Sequence, residues 1–487
     1  MKKELSGIAA HETWEPAPHW TGRTVKSKWA FRVTREDDGS IKYRARIVAK
    51  GFSEIRGVDY WETYAPTVAS KAVQALLHIA ASEDWEIRSL DIGNAYLEAE
   101  LDTVIYMKVP TATAGGEDTI VKLKKSLYGL KQSGDLWNKR IHSILEQLGF
   151  SRTYSDPCIY VRTTGKNRTY MALYVDDLLI TGSSNELILQ LENDIESHVT
   201  KLTRKGDIQK FLGVEVSRDR TARTITLRQS QFIRDIIISE GLNDAKTKST
   251  PGSSSVDLYT AQRGNRDPLR SIVGKIRYAV DHAHPEALFI ASQLSAAAGD
   301  PGDLHWDAAN HCLRYLHGAA DIGITLGGHQ SIKFECWVDA SYIESGEAKS
   351  QLGYCLRLNS TSGMFYSKSK RDSSVSLSSA EAELRALKEA IQEILWARFY
   401  LEELGYPQSN ATTVFEDNQA VIDLMKTLQS KSRTRHLNKI RKFVQQHIDN
   451  ADIIIEKVAG EVNIADILTK ALEKDRFQQL RKGMLGI

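Results

Sequence analysis

The chain has 487 residues, a formal net charge of +2, and apolar and charged fractions of 41% and 26%, those of an ordinary soluble globular protein with room for two to four domains. Its four cysteines (Cys158, Cys312, Cys336, Cys355) lack C-x-x-C spacing, which argues against zinc and a disulfide framework and fits a reducing compartment. No apolar run approaches membrane-spanning length, the start Met1-Lys2-Lys3-Glu4-Leu5 lacks the apolar stretch of a signal peptide, and no fixed-period repeat is present.

In chain order, a short amphipathic piece ends at Trp14 and a Pro-rich bend follows. Lys26–Val33 and Lys42–Lys50 alternate as strands around the turn Glu36-Asp37-Asp38-Gly39, and carry Arg44, Arg46 and Lys50. Such cations are either a solvated face or a grip on a triphosphate. Val73–Ala81 reads as a buried helix, Trp85–Leu90 as a strand ending at Asp91, and Val104–Val109 as another strand. Leu136–Leu148 is an amphipathic helix, Cys158–Arg162 and Tyr170–Val175 are strands, and Glu186–His198 is helical. Phe211–Val216 and Thr224–Leu227 form a further strand pair, among the cations Arg218, Arg220, Arg223 and Arg228. Ser249-Thr250-Pro251-Gly252-Ser253-Ser254-Ser255 opens a mobile connector reaching about Pro268. Helices follow at 269–281, 285–297 and 303–317. Strands return at Ile332–Val338, Leu352–Leu358 and Gly363–Ser367, then a long helix (Ser379–Leu404), a strand (Thr412–Phe415), two helices, a strand (Ile453–Val458) and closing helices. That alternation is the pattern of a second, α/β domain.

The run Met171–Ile180 sets Asp176-Asp177 between apolar residues, with turn-formers at Thr181-Gly182-Ser183-Ser184. It reads as a hairpin with the acids at its tip. Two carboxylates in an apolar run are costly to bury unless they bind a cation, and Mg²⁺ takes oxygen ligands. Alone, an Asp-Asp pair is better read as a turn. A two-metal phosphoryl-transfer centre also needs carboxylates from separate elements, and Asp91 supplies a third, against its reading as a helix N-cap.

Asp91-x-x-Asn94-Ala95-Tyr96, Leu127-Tyr128-Gly129-Leu130-Lys131-Gln132 and Tyr174-Val175-Asp176-Asp177 occur in this order. With Ala45-Arg46-Ile47-Val48-Ala49-Lys50-Gly51-Phe52 they closely resemble the reverse transcriptase of copia-type long-terminal-repeat retrotransposons. The resemblance covers essentially the whole chain. It implies that Asp91, Asp176 and Asp177 bind two Mg²⁺ ions, with Mn²⁺ as a substitute, that activate the primer 3′-hydroxyl and stabilise the attacked phosphate. Tyr96 then takes the place of an aromatic gate beneath the sugar of the incoming nucleotide, against its reading as a core tyrosine. Arg44, Arg46 and Lys50 fall in the triphosphate clamp, and Gly129 and Gln132 in the loop against the templating pair. Lys205-Gly206-Asp207 and the Phe211-Leu212-Gly213 stretch resemble the segments that grip the primer end. One departure stands out: the family follows this glutamine with a small residue, Pro and Arg, whereas Ser133-Gly134-Asp135 stands here.

The later part resembles the ribonuclease H domain that these elements fuse behind their polymerase. Asp339 closes a strand, Ser378-Ser379-Ala380-Glu381-Ala382-Glu383 opens the long helix, Asp417 follows a strand and Asp466 opens a late helix. Singly, Asp417 and Asp466 are ordinary helix-terminus acids. Glu383 shares a helical face with Leu387, Ala390 and Ile394 and so points at the sheet, whereas Glu381 shares one with Arg385 and Lys388, an exposed ion-pair stripe. Asp339, Glu383, Asp417 and Asp466 are therefore the expected catalytic and metal-binding set. Many ribonucleases H carry a histidine just before the last aspartate, and Val458–Val462 has none. His436 lies upstream in the basic run 431–442, where Arg433, Arg435 and Lys439 suit a phosphate track.

The expected architecture is a right-hand polymerase, α+β, with an α/β ribonuclease H domain: fingers and palm at 1–216, thumb and helical connection at 217–330, ribonuclease H at 331–487. The expected partners are RNA template, DNA primer, RNA/DNA hybrid and deoxynucleotides, with a homodimer and the element's integrase as further ones and no membrane. The expected location is a cytoplasmic virus-like particle and later the nucleus. The rivals are a catalytically silent domesticated copy that only binds nucleic acid, and an RNA-dependent RNA polymerase. The intact carboxylates oppose the first, and Tyr96 with the fused nuclease the second.

Overall fold

The structure, a computed structural model, describes residues 1–487 apart from 36–40, 111–118, 257, 343–348 and 427–436. The chain forms two compact units, Met1–Val68 with Glu86–Ile208, and Ala69–Trp85 with Gln209–Ile487. The sequence places boundaries near 216 and 330. The difference has a physical cause, since the Ser70–Ser82 helix and the chain after Ile208 find their apolar partners in the second unit.

The first unit holds two sheets. In one, the long hairpin Val25–Arg35/Ile41–Ala49 pairs Arg32 with Arg44 and Trp29 with Ile47. Alternation puts Arg32, Arg44 and Arg46 on one face and Phe31 and Tyr43 on the other. The second sheet is antiparallel, in the order Leu202–Asp207, Glu86–Ile92, Asp177–Gly182, Asn167–Tyr174, Ile159–Thr164, Ser151–Arg152. Leu90, Ile92, Leu178 and Ile180 of this sheet pack against Trp137, Ile141 and Ile144 of the Ser133–Gln147 helix and Ile188, Leu191 and Ile195 of the Asn185–Glu196 helix. Each such side chain, fully buried, contributes about 1.5–3 kcal/mol. That core fixes the strand ends on which the acids sit.

The second unit opens with a four-stranded sheet, Lys210–Phe211, Val214–Asp219, Thr224–Arg228 and Ile324–Gly327. Helices Arg270–Ala283, Leu288–Ala297 and Asp303–Ala319 fall where the sequence puts them. A helix at Ser230–Ser239 was missed, although Ile233, Ile236 and Ile237 recur at helical spacing and are buried. The connector, expected to be mobile, is packed against its neighbours at several points. His311 Nε2 lies 2.9 Å from the Thr250 carbonyl, Tyr259 Oη donates to Gln351 Oε1 at 2.7 Å, and a Cβ on Gly252 would meet Ile290 at 2.4 Å. The basic run at 218–228 is likewise partly internal. Arg218 donates to the Trp85 carbonyl (2.5 Å) and to Asp84 (2.8 Å), and Arg223 to the Ser82 carbonyl (3.0 Å).

The last sheet has the order Tyr366–Arg371, Gln351–Arg357, Glu335–Ser341, Thr412–Glu416, Ile453–Lys457. Its first three strands are antiparallel, and the last two run parallel to Glu335–Ser341. Glu335–Ser341 extends past Asp339, which therefore lies within the strand and does not close it. Trp337, Cys355 and Met364 share one core with the helices from Ile233 to Ala319 and with Ile464–Met484, so no compositional seam separates them.

The Ser70–Ser82 helix is bound into this unit by polar contacts. Lys71 Nζ lies 2.5 Å from Glu393, Tyr400 Oη donates to the Ala72 carbonyl at 3.0 Å, and the Gly327 amide donates to His78 Nδ1 at 3.1 Å. Burial pushes the His78 imidazole down to about 3, so it is neutral at pH 7. His78→Ala leaves the buried Gly327 amide without an acceptor beside a new cavity. The expected cost is about 2–4 kcal/mol, read from denaturant melts. The unfolded chain takes up this proton near 6.5 and the folded one near 3, so stability is lost as pH falls through that window. Between pH 7 and 5 the gap between parent and variant should narrow by about 2 kcal/mol.

Candidate active sites

Three aspartates converge in the first unit. Asp177 begins its strand and stands opposite both Tyr174 and Asp91 across neighbouring ladders. Val175 takes a left-handed conformation (φ 54°) to turn the chain, its carbonyl accepting from buried Trp137 Nε1 at 2.6 Å. The Asp176 carbonyl accepts from the Ile92 amide at 2.9 Å. Burial, and then the charges of Asp177 and Asp91, push the Asp176 carboxyl up. Lys205 reaches Asp177 Oδ1 at 2.7 Å and Asp91 Oδ1 at 3.4 Å.

Tyr96 sits on the turn Ala95–Glu98, entered through Asn94 at φ 59°. Its ring meets Tyr128 edge-on, centroids 5.0 Å apart, and the Arg46 guanidinium lies 4.3 Å from the Tyr128 ring centre. Burial raises the Tyr96 phenol and the Asp176 charge adds to it. Of the hairpin cations, Arg46 is the one placed here, and its charge acts on Asp176. Arg44, two residues earlier, is exposed, and Lys50 donates its amide to the Lys26 carbonyl.

Two residues expected to touch the template are used internally. A Cβ on Gly129 (φ 92°) would meet the Ala49 carbonyl at 2.2 Å, so backbone packing accounts for the glycine. Gln132 is 1% exposed and donates to the Asp59 carbonyl at 3.0 Å. In the departure that follows, Asp135 pairs with Lys139 at 2.7 Å. In the second unit, Phe211 is buried, and Leu212 (φ 52°) and Gly213 (φ 76°) make a hairpin turn whose Leu212 carbonyl accepts from Tyr278 at 2.8 Å.

The second centre lies on the five-stranded sheet. Carboxylate oxygens of Asp339, Glu383 and Asp417 lie within 4.8 Å of one another. Asp339 comes from a strand, Glu383 from the second turn of the Ser379–Glu403 helix, and Asp417 from just past Thr412–Glu416. Burial pushes the Asp339 and Glu383 carboxyls up; Lys470 opposes this at Asp339, and the Glu416 charge adds to it at Glu383. Glu381 turns elsewhere, pairing with Arg385 at 2.8 Å and accepting from the Leu377 amide at 2.9 Å. It is buried, not on an exposed stripe.

Asp466 is outside this trio. It is fully buried, bonded to Arg476, and 2.8 Å from Lys470, whose ammonium also lies 3.7 Å from Asp339. Sequence reasoning missed Glu416, whose side chain is buried beside Glu383 and whose Oε2, like that of Glu383, has no hydrogen-bond partner. The signal available was the tandem Glu416-Asp417 at a strand end. Arg433, Arg435 and His436 lie outside the described residues, and Lys439 is exposed near the start of the Asn438–Asp449 helix.

The family model for reverse transcriptase (RNA-dependent DNA polymerase) matches residues 13–254. The retrovirus-related Pol polyprotein of transposon TNT 1-94 from Nicotiana tabacum is 32% identical over 100% of this chain and 37% of its own length. That of transposon RE2 from Arabidopsis thaliana is 30% identical over 99% and 33%. The chain belongs to the copia-type reverse transcriptases. It spans about a third of the length of these polyproteins. Among solved structures, the foamy viral protease–reverse transcriptase in complex with dsDNA matches with a TM-score of 0.50 at 12% identity, over 94% of this chain and 82% of that one. That likeness concerns the fold alone. The copia-type centre and the second cluster both offer only carboxylate oxygens, a donor set suited to a hard divalent cation. The unpartnered, buried Glu383 Oε2 fits the same requirement.

Proposed function

We propose that this reverse transcriptase copies RNA, and then the first DNA strand, into DNA, and that its C-terminal α/β region is a ribonuclease H that removes the RNA of the hybrid. The observation that carries the reading is the approach of Asp91 and Asp177 on two paired strands and of Asp176 on the hairpin turn leading into the second of them, with Tyr96 and Arg46 alongside. Mg²⁺ ions, two per centre and replaceable by Mn²⁺, would supply Lewis acidity at the attacked phosphate. Asp91, Asp176 and Asp177 would hold them for synthesis, and Asp339, Glu383 and Asp417 for cleavage, with Asp466 completing the second set once Lys470 and Arg476 give way. Arg46 places a guanidinium where a triphosphate would enter, and the Tyr96 ring limits the space beneath the sugar.

Primer extension on RNA and DNA templates, with cleavage of a labelled hybrid, tests the proposal. Absence of both reactions in Mg²⁺ would favour the silent copy. Lys439 belongs with Arg433 and Arg435 in a phosphate track. Neutralising all three should weaken hybrid binding and flatten its log–log salt slope by roughly one unit for each phosphate that is no longer neutralised. An unchanged slope would return the run to a solvated face.

A further inference from the structure

Each carboxylate centre carries its own lysine, set across two of its acids. Lys205 Nζ lies 2.7 Å from Asp177 and 3.4 Å from Asp91. Lys470 Nζ lies 2.8 Å from Asp466 and 3.7 Å from Asp339. These are separate elements with unrelated local geometry. The Leu202–Asp207 strand pairs Arg204 with Leu90 and Gly206 with Ser89, so Lys205 is the extra residue of a β-bulge, followed by Gly206 at φ 75°. A bulge lifts one side chain out of the ladder and re-aims it. Here it delivers an ammonium to the acids at the ends of the next two strands of the sheet. Lys470 arrives differently, four residues after Asp466, its amide accepted by the Asp466 carbonyl while the neighbouring Thr469 hydroxyl donates to Asp339.

We propose that Lys205 and Lys470 are built-in counterions that compete with divalent cations for these carboxylates, and so set how much metal each centre needs. The proposal rests on reading the acids as metal ligands. Clustered carboxylates repel, and an ammonium at 2.7–2.8 Å neutralises them through charge-assisted hydrogen bonds. A hard dication approaches the same oxygens at about 2.1 Å. A lysine and a dication cannot share those lone pairs without strong repulsion, so the lysine must withdraw as the ion enters. Both side chains are 42% exposed, which leaves each a path into solvent. The acids are then never left wholly uncompensated, and metal binding becomes an exchange of cations.

The test is Mn²⁺ binding without nucleic acid, followed by electron paramagnetic resonance of the free ion. It uses the full chain and the variants Lys205→Gln, Lys205→Arg and Lys470→Gln, with Asp177→Asn and Asp339→Asn marking the two centres. Each glutamine variant should bind Mn²⁺ roughly ten-fold more tightly at its own centre only, the order expected on removing a unit charge at this range from a partly solvated site. Lys205→Arg should stay near the parent. A second readout is thermal melting. Each glutamine variant should melt lower than the parent in EDTA and recover that loss in saturating Mn²⁺, whereas a packing role would lower both. Unchanged or weaker Mn²⁺ binding in the glutamine variants, with the aspartate variants still losing their sites, would overturn the counterion role alone. If the aspartate variants bind as the parent does, the metal-ligand reading itself has failed and the counterion role falls with it.

Discussion

Asp177→Asn should abolish DNA synthesis and leave hybrid cleavage running, whereas Asp339→Asn should do the reverse. Each change keeps the side chain's shape and removes the one charge a cation needs. Loss of a metal-ligand carboxylate should lower turnover at least ~10³-fold, about 4 kcal/mol of transition-state stabilisation. The separation follows from placement: Asp177 belongs to the six-stranded sheet of the first unit and Asp339 to the five-stranded sheet of the second. Glu383→Gln should also stop cleavage, with a further signature. Burial, then the charges of Glu416, Asp339 and Asp417, disfavour the ionised Glu383 in metal-free protein; glutamine removes that penalty, and the variant should melt higher than the parent in EDTA. Paired assays of extension and cleavage, each with a melt, check all three. Loss of both activities from any one substitution in a folded protein would end the two-centre reading.

Much of the first centre was legible because it is local. The acidic tip lies between strands only a turn apart, and alternation alone marks them. What the residues could not give by themselves is the pairing of Glu86–Ile92 with Asp177–Gly182, which closes a loop of some ninety residues. There the residues offered Asp91 as a third carboxylate, and the family resemblance decided for it over a helix N-cap. The choice of Glu383 over Glu381 came from helical spacing and agrees with where the two side chains point, although burial of Glu381 did not follow from its charged neighbours. The failures share one cause. Ser249–Pro268 has a linker's composition, yet composition reports local preference and not the apolar surface waiting at Ile290. Arg218 and Arg223 show only as members of a basic run in the sequence, and the carbonyls their guanidiniums satisfy, just past the Ser70–Ser82 helix and at its end, lie far off in the chain. Gly129 read as room for a base, and a distant strand's carbonyl fills that room.

Tyr96→Ala should admit ribonucleotides while deoxynucleotide incorporation survives at a reduced rate. A DNA polymerase must reject a substrate that differs only by an added 2′-hydroxyl, and a pocket cannot reject an added hydroxyl strongly by withholding hydrogen bonds. A rigid ring beneath the sugar can do it by volume. Tyr96 is braced for that work: it is half-buried, its ring stands edge-on to Tyr128 at 5.0 Å, and its phenol feels the Asp176 charge. The backbone leading to it turns through left-handed Asn94 only three residues past Asp91, so the ring and the acid are held by one short rigid segment. Removing the ring should cost discrimination on the order of 10²-fold, about 3 kcal/mol. Tyr96→Phe should keep it, since exclusion needs the ring and not the hydroxyl. Tyr128→Ala should fall between the two, because it removes the brace and leaves the gate in place. The measurement is the ratio of single-nucleotide incorporation efficiencies for matched ribo- and deoxynucleotides in all four proteins. If the alanine variant at 96 still makes DNA and discriminates as the parent does, Tyr96 is a packing residue of the first unit and the steric gate is another side chain.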